Sequence, residues 1–259
     1  MLSENKIPHF EEILKSAGNI LLAFPKENLE KKGNVNDNLK TNIDDYLQNY
    51  ISNELRKISN IPIISEEDKH HDSRKRPDEY FLIDPLDGTR SYVEGFQTYA
   101  TQIAVIVENK AVMSFIYLPT VDEYYSGFLG GGSFINGIKL HECLMEKPIS
   151  ITDNYKHPSK LIKELMEKST IINYIESGSL AYKMCLIAKN SAQVFLKETK
   201  IADWDIAPAK LILEEIGGTV SLLNGAEYNL EGNFKKSNLL VTSNQVIKHY
   251  ILDIVKNHD

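Results

Sequence analysis

The sequence predicts a mixed α/β protein of α+β character, and three observations carry that reading. Apolar residues at helical spacing open the chain, a β-rich stretch begins at Tyr80, and helix-like and strand-like patterns alternate after about residue 147. With 259 residues the chain can bury a substantial core, as one large domain or two tightly joined halves. The change of texture places the expected halves at residues 1–147 and 148–259, the first α+β and the second layered α/β.

The elements follow from periodicity and punctuation. Phe10, Ile13, Leu14, Ala17, Ile20 and Leu21 fall on one face of a first helix. The polar stretch from Lys31 to Lys40, with Gly33 and several Asn, reads as a loop. A second helix sets Tyr46, Leu47, Tyr50, Ile51, Leu55 and Ile58 on one face. Pro62 precedes a short apolar strand, Ile63-Ile64, which runs into Ser65-Glu66-Glu67-Asp68. Residues 69–79 are polar, mixed in charge and expected to be exposed, Arg74-Lys75-Arg76 as a loop charge run and His70-His71 as solvated histidines rather than a metal pair. Apolar, β-branched runs at 103–107 and 111–118 flank Glu108-Asn109-Lys110 as a hairpin, and the segment from Gly130 to Gly137 is rich in turns. In the second half, helices are expected near 159–167, 179–189 and 205–216, strands near 170–174, 193–196, 219–223 and 238–242, and a final helix over 245–256. There is no internal repeat and no low-complexity segment.

Composition narrows the function. A formal net charge of −7 argues against nucleic acid as the main partner, because phosphate-backbone binding relies on Lys and Arg. A small phosphorylated substrate stays open, since metal ions can supply local positive charge. The two cysteines, Cys143 and Cys185, lack metal-ligand spacing and read as buried thiols in a reducing compartment rather than a disulfide. Glu4, Lys6, Glu11 and Glu12 interrupt the N-terminal apolar runs, and no apolar stretch approaches the ~20 residues of a membrane helix. A cytoplasmic protein with no membrane partner is the expectation.

The chemistry concentrates in Asp84-Pro85-Leu86-Asp87-Gly88-Thr89, directly after the apolar run Tyr80-Phe81-Leu82-Ile83. Pro85 fixes its own φ and disfavours helix at Asp84, so the segment is expected to leave the strand as a rigid turn. Gly88 permits a tight bend and close approach of a ligand to the backbone. Two acids followed by accessible backbone N–H groups suit a hard cation beside a phosphate. Further acids stand at Glu66-Glu67 and at Asp203-Trp204-Asp205, the latter at the start of a helix closed by Gly217-Gly218. Each site has a plainer reading: Asp205 as a helix N-cap, Glu66-Glu67 as a solvated loop, Asp84 and Asp87 as turn formers. Their joint occurrence favours Mg²⁺, which takes carboxylates, carbonyls and waters and relies on substrate phosphate for further ligands.

These motifs resemble those of the inositol monophosphatase superfamily. Asp84 to Thr89 matches its D-P-[LI]-D-G-T signature, and Ser65-Glu66-Glu67 resembles its upstream [GS]-E-E element. Trp204-Asp205-Ile206-Ala207 resembles W-D-x-A, Glu215-Ile216-Gly217-Gly218 resembles E-x-G-G, and Phe134-Ile135-Asn136-Gly137 resembles F-x-N-G. The resemblance runs from about residue 10 to the C-terminus, and it implies a layered α-β-α-β-α sandwich of the sugar-phosphatase type. It also implies two or three Mg²⁺ ions held by Glu66, Asp84, Asp87 and Asp205 with the Leu86 carbonyl, Glu67 supporting a weaker ion. Thr89 would hydrogen-bond the attacking water, Asp44 of Lys40-Thr41-Asn42-Ile43-Asp44 would be its partner, and the N–H groups of Gly88 and Thr89 would hold phosphate. Clustered Mg²⁺ neutralises a phosphomonoester, acidifies a bound water and stabilises the leaving oxygen. The chain departs from the family's pattern at Lys40, where an apolar residue is common, and at Arg90-Ser91, where Asn is frequent at the second position.

The resemblance therefore implies a Mg²⁺-dependent, lithium-sensitive phosphatase acting on a small phosphorylated metabolite. Lys183 resembles a lysine of the 3′(2′),5′-bisphosphate nucleotidase branch, which favours 3′-phosphoadenosine 5′-phosphate as substrate; the alternative is an exposed helix lysine. Gly178-Ser179 begins a helix whose N–H groups would suit an anion. Glu198 stands where inositol monophosphatases carry an inositol-binding Glu, which makes inositol-1-phosphate the second choice. Gly88-Thr89-Arg90-Ser91-Tyr92 is similar to histidinol-phosphate members, the third choice. A rival of another kind is a regulatory binding protein that keeps the fold without catalysis, against which the full acid set argues. Homodimers are common in the family, although no residue pattern marks an interface. Trp204 is expected to be a packing residue that fixes its loop.

Overall fold

The computed structural model describes residues 6–32, 39–68, 75–142, 148–154 and 158–256. Its elements run α1 (Ile7–Ala23), β1 (Lys31–Lys32), β2 (Lys40–Thr41), α2 (Asn42–Ile58), β3 (Ile63–Ser65), β4 (Glu79–Asp87), α3 (Thr89–Glu94), β5 (Ala100–Val107), β6 (Lys110–Leu118), β7 (Glu123–Phe128), β8 (Gly132–Ile135) and β9 (Ile138–Lys139). They continue as β10 (Ile149–Asp153), α4 (Lys160–Lys168), β11 (Ile171–Glu176), α5 (Leu180–Ala188), β12 (Val194–Lys197), β13 (Ile201–Ala202), α6 (Asp203–Glu214), β14 (Thr219–Leu222), β15 (Lys235–Lys236), β16 (Leu239–Thr242) and α7 (Gln245–Lys256).

Five layers result. A seven-stranded sheet, ordered β3-β4-β5-β6-β7-β8-β9, is antiparallel except for the β3–β4 pair. Alternation along β4 sends Phe81 and Ile83 to one face, where Phe10, Leu14, Leu47 and Ile51 of α1 and α2 cover them. Tyr80 and Leu82 go to the other face and join Met184 of α5 and Ala209 and Ile212 of α6. The same two helices cover Phe195, Val220, Leu239 and Val241 of a five-stranded sheet ordered β11-β10-β12-β16-β14. Leu165 of α4 with Ile247 and Ile251 of α7 close that sheet's far side against Ile151, Val194 and Leu240. This is the α-β-α-β-α sandwich expected from the motif resemblance. One apolar cluster thus takes residues from both sides of residue 147. No helix among the described residues is long and apolar enough to cross a membrane.

Several local expectations are corrected. The ends of the stretch from Lys31 to Lys40 pair as β1 and β2, and residues 33–38 lie outside the described residues, as do His70, His71, Arg74 and Cys143. Tyr46 is 57% exposed, so the buried face of α2 runs through Ile43, Asp44, Leu47, Ile51, Leu55 and Ile58 instead. Strands β7 and β10 and the β13–β15 pair had no clear period-two signature. Arg76 is not a solvated loop charge: its guanidinium lies over the Phe234 ring and is ion-paired to Asp203. Where the Asp84–Thr89 segment was expected to turn out of the strand, β4 continues to Asp87. Asp84 pairs with Gln102 and Asp87 with Ala100, so three steps on β4 oppose two on β5, a bulge that takes up Pro85, which has no N–H to donate.

Candidate functional site

The site forms where β3 and β4 end and where α2 and α6 begin. β4 delivers Asp84 at its bulge, buried in the sheet. Glu66 follows β3, tied to β4 through its N–H to the Ile83 carbonyl at 3.4 Å. Asp205 was expected just ahead of its helix; α6 instead begins at Asp203, so Asp205 lies in its first turn and accepts the Ala202 N–H at 3.0 Å. That is the carboxylate half of a capping box. One carboxylate oxygen from each of Glu66, Asp84 and Asp205 lies within 4.8 Å of the others.

Electrostatics mark this trio as poised for a cation. Burial pushes the Asp84 carboxyl well above its ordinary range, reinforced by Glu66 and Asp87. Glu66 is pushed up in the same way, by burial and then by Asp205. Asp205 rises through burial and then through Asp87. Asp84 Oδ1 accepts the Leu86 N–H at 3.1 Å, but its Oδ2 is buried and finds no donor among the described residues. A buried carboxylate oxygen without a donor costs free energy unless a cation or water meets it. The donor set, three carboxylates with a part-exposed edge at Glu66 and Asp205, fits a hard divalent ion such as Mg²⁺.

Beside the trio lies a second constellation. Thr41 caps α2 and donates both its N–H (2.8 Å) and its hydroxyl (2.5 Å) to Asp44 Oδ2. The Thr89 hydroxyl lies 3.0 Å from Asp44 Oδ1 and 3.1 Å from the Leu86 carbonyl. Burial raises the Asp44 carboxyl, and its hydrogen bonds from Thr41 and Thr89 offset part of that rise. Gly88 adopts φ +90°, a backbone state open to glycine, and a Cβ there would meet Ser179 Cβ at 3.0 Å and the Thr98 carbonyl at 3.1 Å.

Other predicted residues find different partners. Asp87 stands outside the trio: it accepts the Ser179 hydroxyl (2.5 Å) and the N–H groups of Ala181 (2.5 Å) and Leu180 (3.3 Å). The start of α5, expected to receive a substrate anion at Gly178-Ser179, therefore holds a carboxylate of the protein. Gly178 is required by its neighbour, because a Cβ would fall 1.7 Å from Ser91 Oγ. Glu67 is bonded to Lys40 at 2.5 Å. Lys183 is fully buried, not an exposed helix lysine; its ammonium bonds Asn154 Oδ1 and lies 5.0 Å from the centre of the Phe195 ring. Burial lowers its pKa to about 7. Glu198 is exposed after β12. Trp204 is buried and stacks on Phe234, as a packing residue should.

Sequence reasoning missed the charge cluster behind the site. Asp203, fully buried, accepts from Arg76, from Lys236 at 2.9 Å and from the Tyr228 hydroxyl at 2.6 Å. It also missed the Lys40–Glu67 pair, whose one signal was a charged residue at a position expected to be apolar.

Comparison with known proteins bears on the family and the fold. The model of the inositol monophosphatase family matches residues 6–259. A 3′(2′),5′-bisphosphate nucleotidase CysQ of Buchnera aphidicola is 29% identical over 228 residues, 84% of each chain. Inositol monophosphatase 3 of Solanum lycopersicum is 28% identical over 235 residues, covering 85% of this chain and 86% of the relative. Among solved structures, an IMPase of Thermotoga maritima superposes with a TM-score of 0.83 at 22% identity, covering 98% of this chain and 97% of that one. At that identity the structural likeness speaks for the fold alone.

Proposed function

The chain belongs to the inositol monophosphatase family of metal-dependent phosphatases, and from that premise we propose that it is a Mg²⁺-dependent phosphomonoesterase whose preferred substrate is 3′-phosphoadenosine 5′-phosphate. The observation that carries the proposal is the convergence of Glu66, Asp84 and Asp205 beside the Thr89–Asp44 pair.

Glu66, Asp84 and Asp205 would hold the metal, with Asp87 and the Leu86 carbonyl joining when they leave their present partners. When bound, Mg²⁺ neutralises the phosphate, makes a water more acidic and stabilises the leaving oxygen. The chain's own groups do the rest. Thr89 donates its hydroxyl hydrogen to Asp44, which leaves the Thr89 oxygen lone pairs to accept a hydrogen bond from the attacking water. Asp44 takes the proton relayed through Thr89, and burial, by raising its carboxyl above the ordinary range, makes it a stronger base than a solvated aspartate. Thr41 locks the Asp44 rotamer, so the acceptor oxygen stays aimed at Thr89. The N–H groups of Gly88 and Thr89 hold the phosphate, and Gly88 keeps the approach free of a side chain.

Two features support a bisphosphorylated nucleotide. Relatives named CysQ are similar over most of the chain, and Lys183 lies within the first turns of α5, behind the Ser179–Asp87 contact. A second phosphate would give its ammonium the anionic partner that Asn154 and the Gly178 carbonyl replace only as neutral dipoles. Inositol-1-phosphate is the second reading, favoured by the exposed Glu198 and by the tomato relative; histidinol phosphate is third. Phosphate release from the three compounds, with Mg²⁺, with EDTA and with Mg²⁺ plus Li⁺, tests the proposal. The expected result is Mg²⁺-dependent, Li⁺-inhibited release, fastest from the nucleotide, with Lys183→Met costing nucleotide turnover more than inositol phosphate turnover. No release from any of the three would overturn the phosphatase reading for these metabolites, and faster release from inositol-1-phosphate would reverse the substrate order.

A further inference from the structure

Among the described residues, one ammonium is ion-paired directly to the acid-rich corner, that of Lys40, while Lys197 acts on Asp205 from further away. Lys40 opens the short β2 strand, paired with Lys32 and directly before Thr41, the residue that caps α2 and locks Asp44, so its backbone is held in place. Its ammonium lies 2.5 Å from Glu67 Oε2; the Glu67 side chain is only 4% exposed, while that of Lys40 is 34% exposed. Glu67 in turn adds to the negative field felt by both Glu66 and Asp84. Among the described residues, no other ammonium or guanidinium is bonded to Glu66, Glu67, Asp84, Asp87 or Asp205. Burial raises the Glu67 carboxyl, and Lys40 offsets part of that rise.

We propose that Lys40 is a resident counter-ion of the acid cluster, which occupies Glu67 and thereby sets how many divalent ions the site loads. The inference rests on the metal-dependent reading above. The ammonium's positive charge and its bulk beside Glu67 Oε2 oppose a divalent ion at the same carboxylate, although further lone pairs remain on it, and Mg²⁺ dehydrates reluctantly enough that a tethered competitor holds its place. The ammonium also leaves the corner one charge less negative without any ion being taken from solution. Its partial exposure gives it a route to swing into water, so Glu67 is not sealed off permanently.

The test is an equilibrium titration of metal-free protein with Mn²⁺, reading free ion by electron paramagnetic resonance with no substrate present. Lys40→Met keeps the aliphatic stem and removes the charge. It is expected to bind one more ion per chain than wild type, or to bind the weakest ion about threefold to tenfold more tightly, as ligand charge count dictates. Lys40→Arg is expected to behave as wild type, and Lys40→Met combined with Glu67→Gln to lose the gain. Unchanged stoichiometry and affinity in Lys40→Met overturn the proposal, and so does a gain that survives in the double variant. If Lys40→Met does not fold, as judged by circular dichroism, Lys40→Gln carries the same comparison. A wild-type protein that binds no Mn²⁺ overturns the metal-dependent reading together with this one. An unchanged Lys40→Met beside a wild type that binds Mn²⁺ overturns this one alone.

Discussion

Asp203 and Asp205 share the first turn of α6, yet their carboxylates have opposite surroundings. Asp203 is fully enclosed by donors: Arg76, Lys236 and Tyr228 converge on its two oxygens. Asp205 accepts one backbone N–H and otherwise faces Glu66 and Asp84, two more acids. A buried charge that is paired on all sides holds the fold together, and truncating it leaves its partners stranded. A set of buried like charges left without a cation raises the free energy of the empty protein, and such a cluster persists where it serves a ligand. The contrast separates structure from function within one helical turn.

The largest effect should come from breaking the like-charge side. Asp84→Asn is expected to reduce Mg²⁺-dependent phosphate release by about 10²–10³-fold, the scale of losing one electrostatic stabiliser. The same change relieves repulsion, so the metal-free variant should melt about 2–4 °C above wild type by calorimetry, the shift that ~1 kcal/mol produces in a chain of this size. Added Mg²⁺ should raise the melting point of wild type far more than that of the variant. A metal-free variant that melts lower would contradict the repulsive reading of the trio.

The paired side should answer in reverse. Asp203→Ala strands Arg76 and Lys236 and is expected to cost about 3–5 kcal/mol in denaturant unfolding. The turnover of the molecules that remain folded should fall far less than in Asp84→Asn. Equal loss of turnover in the two variants would show that Asp203 belongs to the site rather than to its support.

Lys183 offers a third, smaller comparison, a buried cation whose bonded partners are neutral carbonyl oxygens. Its folded pKa of about 7 lies below the 10.5 of an ordinary lysine. Below about pH 7 both folded and unfolded chains carry the proton, and the burial penalty is present in full. Between there and the unfolded value the unfolded chain binds more protons, so this group's penalty lessens as pH rises. Lys183→Met should therefore melt above wild type by the widest margin near pH 6–7, and the margin should close towards pH 10. A margin independent of pH would mean that the lysine is not held near neutrality.

Much of this site was legible in the order of residues along the chain. Asp84 to Thr89 carries its own backbone instructions: Pro85 cannot donate to a ladder, Gly88 takes φ +90°, and the apolar run before them builds the strand. The helical spacing of Phe10, Leu14, Ala17 and Leu21 likewise describes the face that α1 buries. The bulge was less legible, because an extra residue on β4 is defined against β5 and not within β4. Tyr46 was misplaced for a related reason: helical spacing alone does not say where an apolar stripe ends, and the sheet beneath α2 decides that.

The sequence by itself determined the helices with clear periodicity, the hairpin at Glu108-Asn109, and the identity of the acids that converge, since each depends on a residue and its near neighbours. Tertiary structure alone decided which charges are compensated. Arg76 reads as one more cation in a polar loop until the fold brings it to Asp203, and Lys183 reads as a helix lysine until α5 is buried between two sheets. Asp87 reads as one more acid of the motif until the start of α5 gives it hydroxyl and N–H partners, and Lys40 as a mismatch until Glu67 arrives beside it. Electrostatic partnership depends on distance through space and on exclusion of water, and neither quantity exists until distant segments have packed.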